Sequence, residues 1–211
     1  MKITKLGHAC LLVEMPAPIN RTALFDPGTM SDVDVDSLQY LDDIFITHMH
    51  PDHFDIELVR KLAGKFPKVR ITAPQEIVDT LVQVGVGARN EAPEGVSFFE
   101  SPHAHGEPLL TNYPEEIGVH YLGKLSHPGD SHTFTETMPV LALPVVAPWG
   151  STVEAIRLAI ALKPQYVIPI HDWFYHDDAR DWMYERLEAT LKPVGITFIK
   201  PVNGQPFTLN V

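Results

Sequence analysis

The sequence predicts an α/β fold in which two β-sheets pack face to face with helices outside. Both halves of the chain run strand patterns first and helical patterns later, the order expected of two sheet-and-helix layers. A length of 211 residues is enough to bury a substantial core, and one domain spanning 1–211 is expected. No repeat, low-complexity tract or linker interrupts it, and the 19 prolines are scattered among short elements, which suits many tight connections.

In chain order, alternating apolar residues predict strands at 3–7, 10–14 and 22–25, with Asn20-Arg21-Thr22 as a hairpin turn. A fourth strand at 43–47 leads into a histidine cluster. Ile56, Val59 and Leu62 then recur at helical spacing, with Asp52 or Asp55 as the cap. A short strand at 69–72 and a helix at 76–84, ended by Gly85, complete the first half. The second half predicts strands at 95–101, 118–123 and 140–143. Val153, Ile156 and Ile160 mark a helix capped by Ser151 or Thr152 and closed before Pro164. An apolar strand at 166–170 leads to His171-Asp172, a charged aromatic helix covers 178–191, and strands at 196–199 and 206–209 follow.

Composition narrows the function. No apolar run approaches the ~20 residues of a membrane span. The first residues lead straight into a strand pattern rather than a signal peptide, so a cytoplasmic protein without a membrane partner is expected. Cys10 is the only cysteine, which excludes an internal disulfide and thiolate zinc clusters, and it reads as a small buried apolar residue. Sixteen basic against 27 acidic residues argue against a sequence-independent nucleic-acid binder. A small anionic substrate stays compatible, because bound divalent ions invert the local potential.

The chemistry concentrates in His48-Met49-His50-Pro51-Asp52-His53, where four metal-capable side chains fall within six residues. Imidazole and carboxylate are the usual ligands of a hydrolytic metal centre. In an extended segment side chains two apart point the same way, so His48 and His50 are expected to grip one ion together. Pro51 then turns the chain and places Asp52 and His53 for a second ion. So many polar side chains are hard to bury without a cation.

Three further segments set imidazole or carboxylate just beyond a strand beside Pro or Gly: Pro102-His103-Ala104-His105-Gly106, His127-Pro128-Gly129-Asp130-Ser131 and Ile168-Pro169-Ile170-His171-Asp172. With these in order after the His-x-His-x-Asp-His cluster, the chain resembles the metallo-β-lactamase superfamily. Gly7-His8-Ala9-Cys10, Phe25-Asp26-Pro27-Gly28 and His127-x-Gly129-Asp130 are similar to its compact metal-dependent hydrolase branch, which includes ascorbate 6-phosphate lactonase-like proteins. The resemblance spans residues 1 to 211. It implies a four-layer αββα sandwich of two mixed sheets and a centre of two divalent ions, zinc first, with manganese or iron also fitting the carboxylates.

Carried over residue by residue, the resemblance implies His48, His50 and one histidine of 103–105 on the first metal. It implies Asp52, His53 and His171 on the second, with Asp130 bridging. His105 is preferred over His103 because it lies further past the strand and precedes a glycine. Asp26 matches an aspartate that supports the site from behind its ligands. His8, His103, His127, His132 and Trp149 are expected behind the ligands or against substrate, while His120 and His176 carry no functional expectation.

The implied reaction is hydrolysis of a small ester, lactone or phosphoester by a hydroxide shared between the metals, with Asp52 as the catalytic carboxylate handling its proton. A nuclease or cyclic-nucleotide phosphodiesterase of the same superfamily, or a metal-retaining sensor without turnover, are the alternatives. An iron redox protein of this fold is disfavoured because those proteins carry Glu where His50 stands. The 107–116 loop, with Leu109, Leu110 and Tyr113, reads as a lid or as a homo-oligomer contact.

Overall fold

The strand patterns resolve into two separate sheets in the computed structural model, which describes residues 1–108, 111 and 113–211. Leu109 and Leu110, read above as lid or oligomer contact, lie outside the described residues. The chain divides into two units. Unit 1 comprises Met1–Ala92, Pro114–Ile117 and Val202–Val211, and unit 2 comprises Pro93–Tyr113 and Gly118–Pro201. Among the described residues each unit holds one six-stranded mixed sheet and two α-helices.

Unit 1 contains β1 (Lys2–Lys5), β2 (Leu11–Met15), β3 (Arg21–Phe25), β4 (Asp43–Phe45), α1 (Ile56–Lys65), β5 (Arg70–Thr72) and α2 (Gln75–Gln83). Its sheet order is β12-β1-β2-β3-β4-β5, where β12 is Pro206–Thr208. β3, β4 and β5 run parallel, pairing Phe25 with Phe45 and Phe45 with Thr72. The helical stripe read from sequence is the buried one: Val59 and Leu62 of α1, with Ile77 and Leu81 of α2, pack on Leu24, Ile44 and Ile71. Burying each such side chain contributes about 1.5–3 kcal/mol. Asp55, not Asp52, caps α1, accepting from the N–H groups of Glu57 at 2.9 Å and Leu58 at 3.2 Å. That leaves Asp52 available to the site.

Unit 2 contains β6 (Val96–Phe99), β7 (Gly118–Tyr121), β8 (Leu125–His127), β9 (Val140–Pro144), α3 (Thr152–Leu162), β10 (Tyr166–Ile170), α4 (Asp177–Leu191), a 3-10 turn (Lys192–Val194) and β11 (Thr197–Phe198). Its sheet order is β11-β10-β9-β8-β7-β6, with β8, β9, β10 and β11 parallel. Ser151 opens α3 through a reciprocal capping box with Glu154. The strand expected at 118–123 ends at Tyr121, because Leu122 and Gly123 turn with positive φ into β8, which the sequence reading missed. β8 is three residues long, two of them polar, too short for an alternation signal.

Cys10 packs in the unit 1 core, and burial pushes its thiol above the ordinary cysteine range, so the packing reading holds. Among the described residues no helix is long and apolar enough to cross a membrane.

Candidate metal centre

In both units several polar side chains, those of Asp26, His48, Asp130 and His171, lie just beyond the carboxyl ends of strands with a parallel neighbour, where a chain leaving a sheet can offer groups without cutting its ladder. In unit 1 these ends belong to β3 and β4. Asp26 follows β3 directly with φ of 44°, a left-handed conformation that aspartate tolerates better than most residues. Its buried carboxylate accepts from Thr47 N–H at 2.8 Å, from the Thr47 hydroxyl at 2.8 Å, and from His53 Nδ1 at 2.7 Å. The last contact sets the tautomer of His53 and leaves Nε2 as its lone-pair nitrogen.

Beyond β4 the extended geometry expected for residues 48 to 50 is absent. β4 ends at Phe45, and residues 49–53 bend and turn, closed by His53 N–H and Phe54 N–H on the His50 carbonyl. The two imidazoles still meet: His48 Nε2 lies 3.2 Å from His50 Nδ1. Two nitrogens on one tetrahedral zinc, each at 2.0–2.1 Å, stand about 3.3 Å apart. The pair therefore fits a shared ion. On its other side His48 Nδ1 faces the Thr47 hydroxyl at 3.1 Å and the Glu116 carboxylate at 3.4 Å. The Glu116 side chain is 1% exposed, and the sequence reading missed it.

A second grouping in unit 1 joins His8, Asp52 and His53, whose donor atoms lie within 4.8 Å of one another. His8 Nε2 is 3.3 Å from Asp52 Oδ2, which is itself 3.8 Å from His53 Nε2. His8 thus stands among the donor atoms rather than behind them. Gly28 permits this arrangement, since a Cβ there would sit 2.0 Å from the Asp52 carbonyl oxygen.

In unit 2 three groups converge on one oxygen. Asp130 Oδ2 lies 3.1 Å from His171 Nε2, 3.8 Å from His103 Nε2 and 3.0 Å from Trp149 Nε1, which donates to it. Strand register explains the convergence. β9 and β10 are parallel with Pro144 opposite Ile170, so His171 emerges beside Val146, whose carbonyl accepts from His171 Nδ1 at 2.8 Å. His171 carries φ of 61°, a cost its surroundings must offset. Asp130 follows β8, and its carbonyl accepts from Ala104 N–H at 2.8 Å, which pins the 103–104 turn against it.

That turn places the two adjacent histidines differently. His103 is buried, its Nδ1 donates to the Ala104 carbonyl at 2.8 Å, and its Nε2 faces Asp130. His105, preferred from the sequence, has a side chain 72% exposed, stacked on Tyr113 and 3.5 Å from Glu107. The preference assumed a strand reaching Ser101, whereas β6 ends at Phe99. His127 Nδ1 accepts from Gly129 N–H at 3.4 Å, so it braces the turn that carries Asp130. His132 donates to the Pro144 carbonyl at 2.8 Å with its ring edge on Trp149, and burial lowers its pKa below the usual histidine value. Asp172, also missed, is buried against the Tyr184 hydroxyl and Arg180 and fastens the start of the His171 loop to α4.

Four buried imidazoles, those of His48, His53, His103 and His171, thus have Nδ1 engaged by protein oxygen and present Nε2, the pattern of metal-ligating histidine. The donor chemistry in each unit fits the divalent transition metals that the resemblance implies.

Comparison with known proteins agrees. The family described as the beta-lactamase superfamily domain matches residues 2–171, and the chain belongs to that superfamily. It is 34% identical over 200 residues to protein Rv0786c of Mycobacterium tuberculosis, spanning 89% of this chain and 91% of that protein. It is 24% identical over 193 residues to the UPF0173 metal-dependent hydrolase PF1764 of Pyrococcus furiosus, across 81% of this chain and 84% of the relative. The metallo-β-lactamase fold protein YhfI of Bacillus subtilis matches in structure with a TM-score of 0.65 at 14% identity, covering 98% of each chain. The architecture of two mixed sheets with four helices is therefore the metallo-β-lactamase fold.

Proposed function

We propose that this chain is a metal-dependent hydrolase acting on a small ester, lactone or phosphoester, with both units forming one catalytic domain around two divalent ions. His48, His50 and His103 would hold one ion. Asp52, His53 and His171 would hold the other, joined by His8, with Asp130 serving both. The observation that carries this reading is the uniform engagement of Nδ1 in the four buried imidazoles, which leaves four nitrogens of one kind as donors. The naming of relatives as metal-dependent hydrolases supports the same reaction class.

When bound, such ions supply an activated water at neutral pH and stabilise negative charge as it develops on the substrate. The protein's own residues do the rest. Asp26 keeps His53 in the tautomer that presents Nε2, and the Val146 carbonyl does the same for His171. Trp149 donates to Asp130 Oδ2 and holds that carboxylate in one orientation. Asp52 is the carboxylate that meets solvent, with its side chain 20% exposed against 0% for Asp26 and 4% for Asp130. It would accordingly be the group to take a proton from the attacking water and pass it to the leaving group. Zinc suits the imidazole-rich set, and manganese or iron suits its carboxylates.

The test is turnover of a panel of ester, lactone, thioester and phosphodiester substrates by the purified protein, before and after metal removal and add-back. Hydrolysis that disappears with the metal, returns on add-back and is lost in His53→Ala is expected. Full turnover by metal-stripped protein would overturn the assignment.

A further inference from the structure

We propose that unit 1 carries a second ligand site, separate from the metal-type side chains, which takes a small phosphorylated organic molecule. A cavity of about 580 Å³ is lined by Arg60 of α1, Arg70 of β5 and Arg89. The chain has seven arginines and a net charge of −11, yet three of the seven line this one cavity and no aspartate or glutamate does. A local positive field in so acidic a protein attracts an anion.

The donors are present as well as the charge. Arg70 places Nε and Nη2 on Asp43, at 2.9 and 3.2 Å, and retains Nη1. Asp43 also takes the Arg21 guanidinium, so one buried carboxylate answers two cations and a positive charge is left over. Arg60 places Nη1 on Glu57 and retains Nε and Nη2. Among the described residues nothing accepts from the Arg89 guanidinium, nor from the backbone N–H groups of Gly87 and Ala88, which line the same cavity. Guanidinium forks and consecutive backbone N–H groups are two ways in which proteins hold phosphate oxygens.

Arg89 is not a wandering surface side chain. Its N–H donates to the Ile71 carbonyl at 3.0 Å and its carbonyl accepts from Ala73 N–H at 3.1 Å, so its backbone is fastened along the edge of β5. Phe66, Val69 and Val86 give the cavity an apolar wall. The volume falls in the range of small-molecule sites and exceeds what bare phosphate fills. An organic body against that wall, with its phosphate on the arginines, matches both halves of the lining. The site is distinct from the metal-type residues by register. Arg70 opens β5 opposite Asp43 at the start of β4, whereas Asp26 and His48 lie beyond the far ends of β3 and β4.

Calorimetric titration of the whole protein with phenylphosphonate, whose carbon–phosphorus bond resists hydrolysis, tests this. One molecule should bind per chain, more tightly than inorganic phosphate, and phenol should not bind. The double variant Arg60→Gln/Arg89→Gln should bind at least tenfold more weakly with an unchanged Tm, since both side chains are exposed. His50→Ala should bind as the wild type does. No binding, equal binding of phenol or of inorganic phosphate, binding that survives in the arginine double variant, or binding lost in His50→Ala would each overturn the proposal.

Discussion

Replacing Asp26 by asparagine isolates what one buried carboxylate does for the metal-type residues. Asp26 Oδ2 accepts from His53 Nδ1 at 2.7 Å, while Oδ1 holds Thr47 N–H at 2.8 Å. In Asp26→Asn the amide oxygen can keep Thr47, but an NH₂ then confronts His53 Nδ1. The imidazole must move its proton to Nε2, the nitrogen that otherwise presents a lone pair. Asparagine tolerates the left-handed φ of 44° as well as aspartate does, so the backbone contributes little to the effect. Loss of a supporting partner of this kind weakens metal binding by about 10- to 100-fold, or roughly 1.4–2.7 kcal/mol. The metal-free protein loses a charge-assisted hydrogen bond worth about 1.5–3 kcal/mol, which lowers Tm by roughly 3–12 °C in a chain of this size. Competition with a chromogenic chelator gives the first quantity and differential scanning calorimetry of the stripped protein the second. An asparagine variant that holds metal as tightly as the wild type would rule out this role for Asp26, whatever its Tm.

Three further expectations follow the same logic. Gly28→Ala should cost about 1–3 kcal/mol in urea denaturation and cut activity, because its Cβ would sit 2.0 Å from the Asp52 carbonyl and displace the Asp52-His53 backbone. Trp149→Phe removes the N–H on Asp130 Oδ2 but keeps the ring, so equilibrium dialysis should show metal affinity down about tenfold while Tm moves little. His120 lies in β7 with Ser126 Oγ 2.8 Å from its Nδ1, and burial lowers its pKa below 6.5 against the opposing pull of Glu136. The unfolded chain then protonates first. His120 imposes no penalty above pH 6.5, and stability falls as pH drops from there towards the folded value. Denaturation midpoints at pH 7.5 and 5.5 should differ less in His120→Gln than in the wild type.

The sequence announced the metal-type residues because their signal is local. Six consecutive positions carry the cluster, and His103, Asp130 and His171 each sit within two positions of a Pro or Gly in a segment that follows a strand. Strand existence was legible for the same reason, since apolar alternation is a short-range property, whereas β8 offers only three residues to show it. What stayed hidden depends on partners far along the chain. Trp149 reaches Asp130 across 19 positions, and nothing in the residues around either announces the pairing. Glu116 meets His48 where Ile117 N–H joins the Thr47 carbonyl at 3.0 Å, 70 positions away. The choice between His103 and His105 turned on a strand end misplaced by two residues and on the Ala104 tie to Asp130. Arginines 60, 70 and 89 come to one cavity from α1, β5 and the segment after α2, a convergence no spacing in the sequence encodes.

Anomalous scattering from crystals of the metal-loaded protein, recorded at the absorption edge of the bound element, tests the central proposal most directly. Two peaks per chain are expected, with His48, His50 and His103 around one, His8, Asp52, His53 and His171 around the other, and Asp130 reaching both. A single peak, or ions ligated by unit 1 residues alone with His103, Asp130 and His171 left uninvolved, would contradict it.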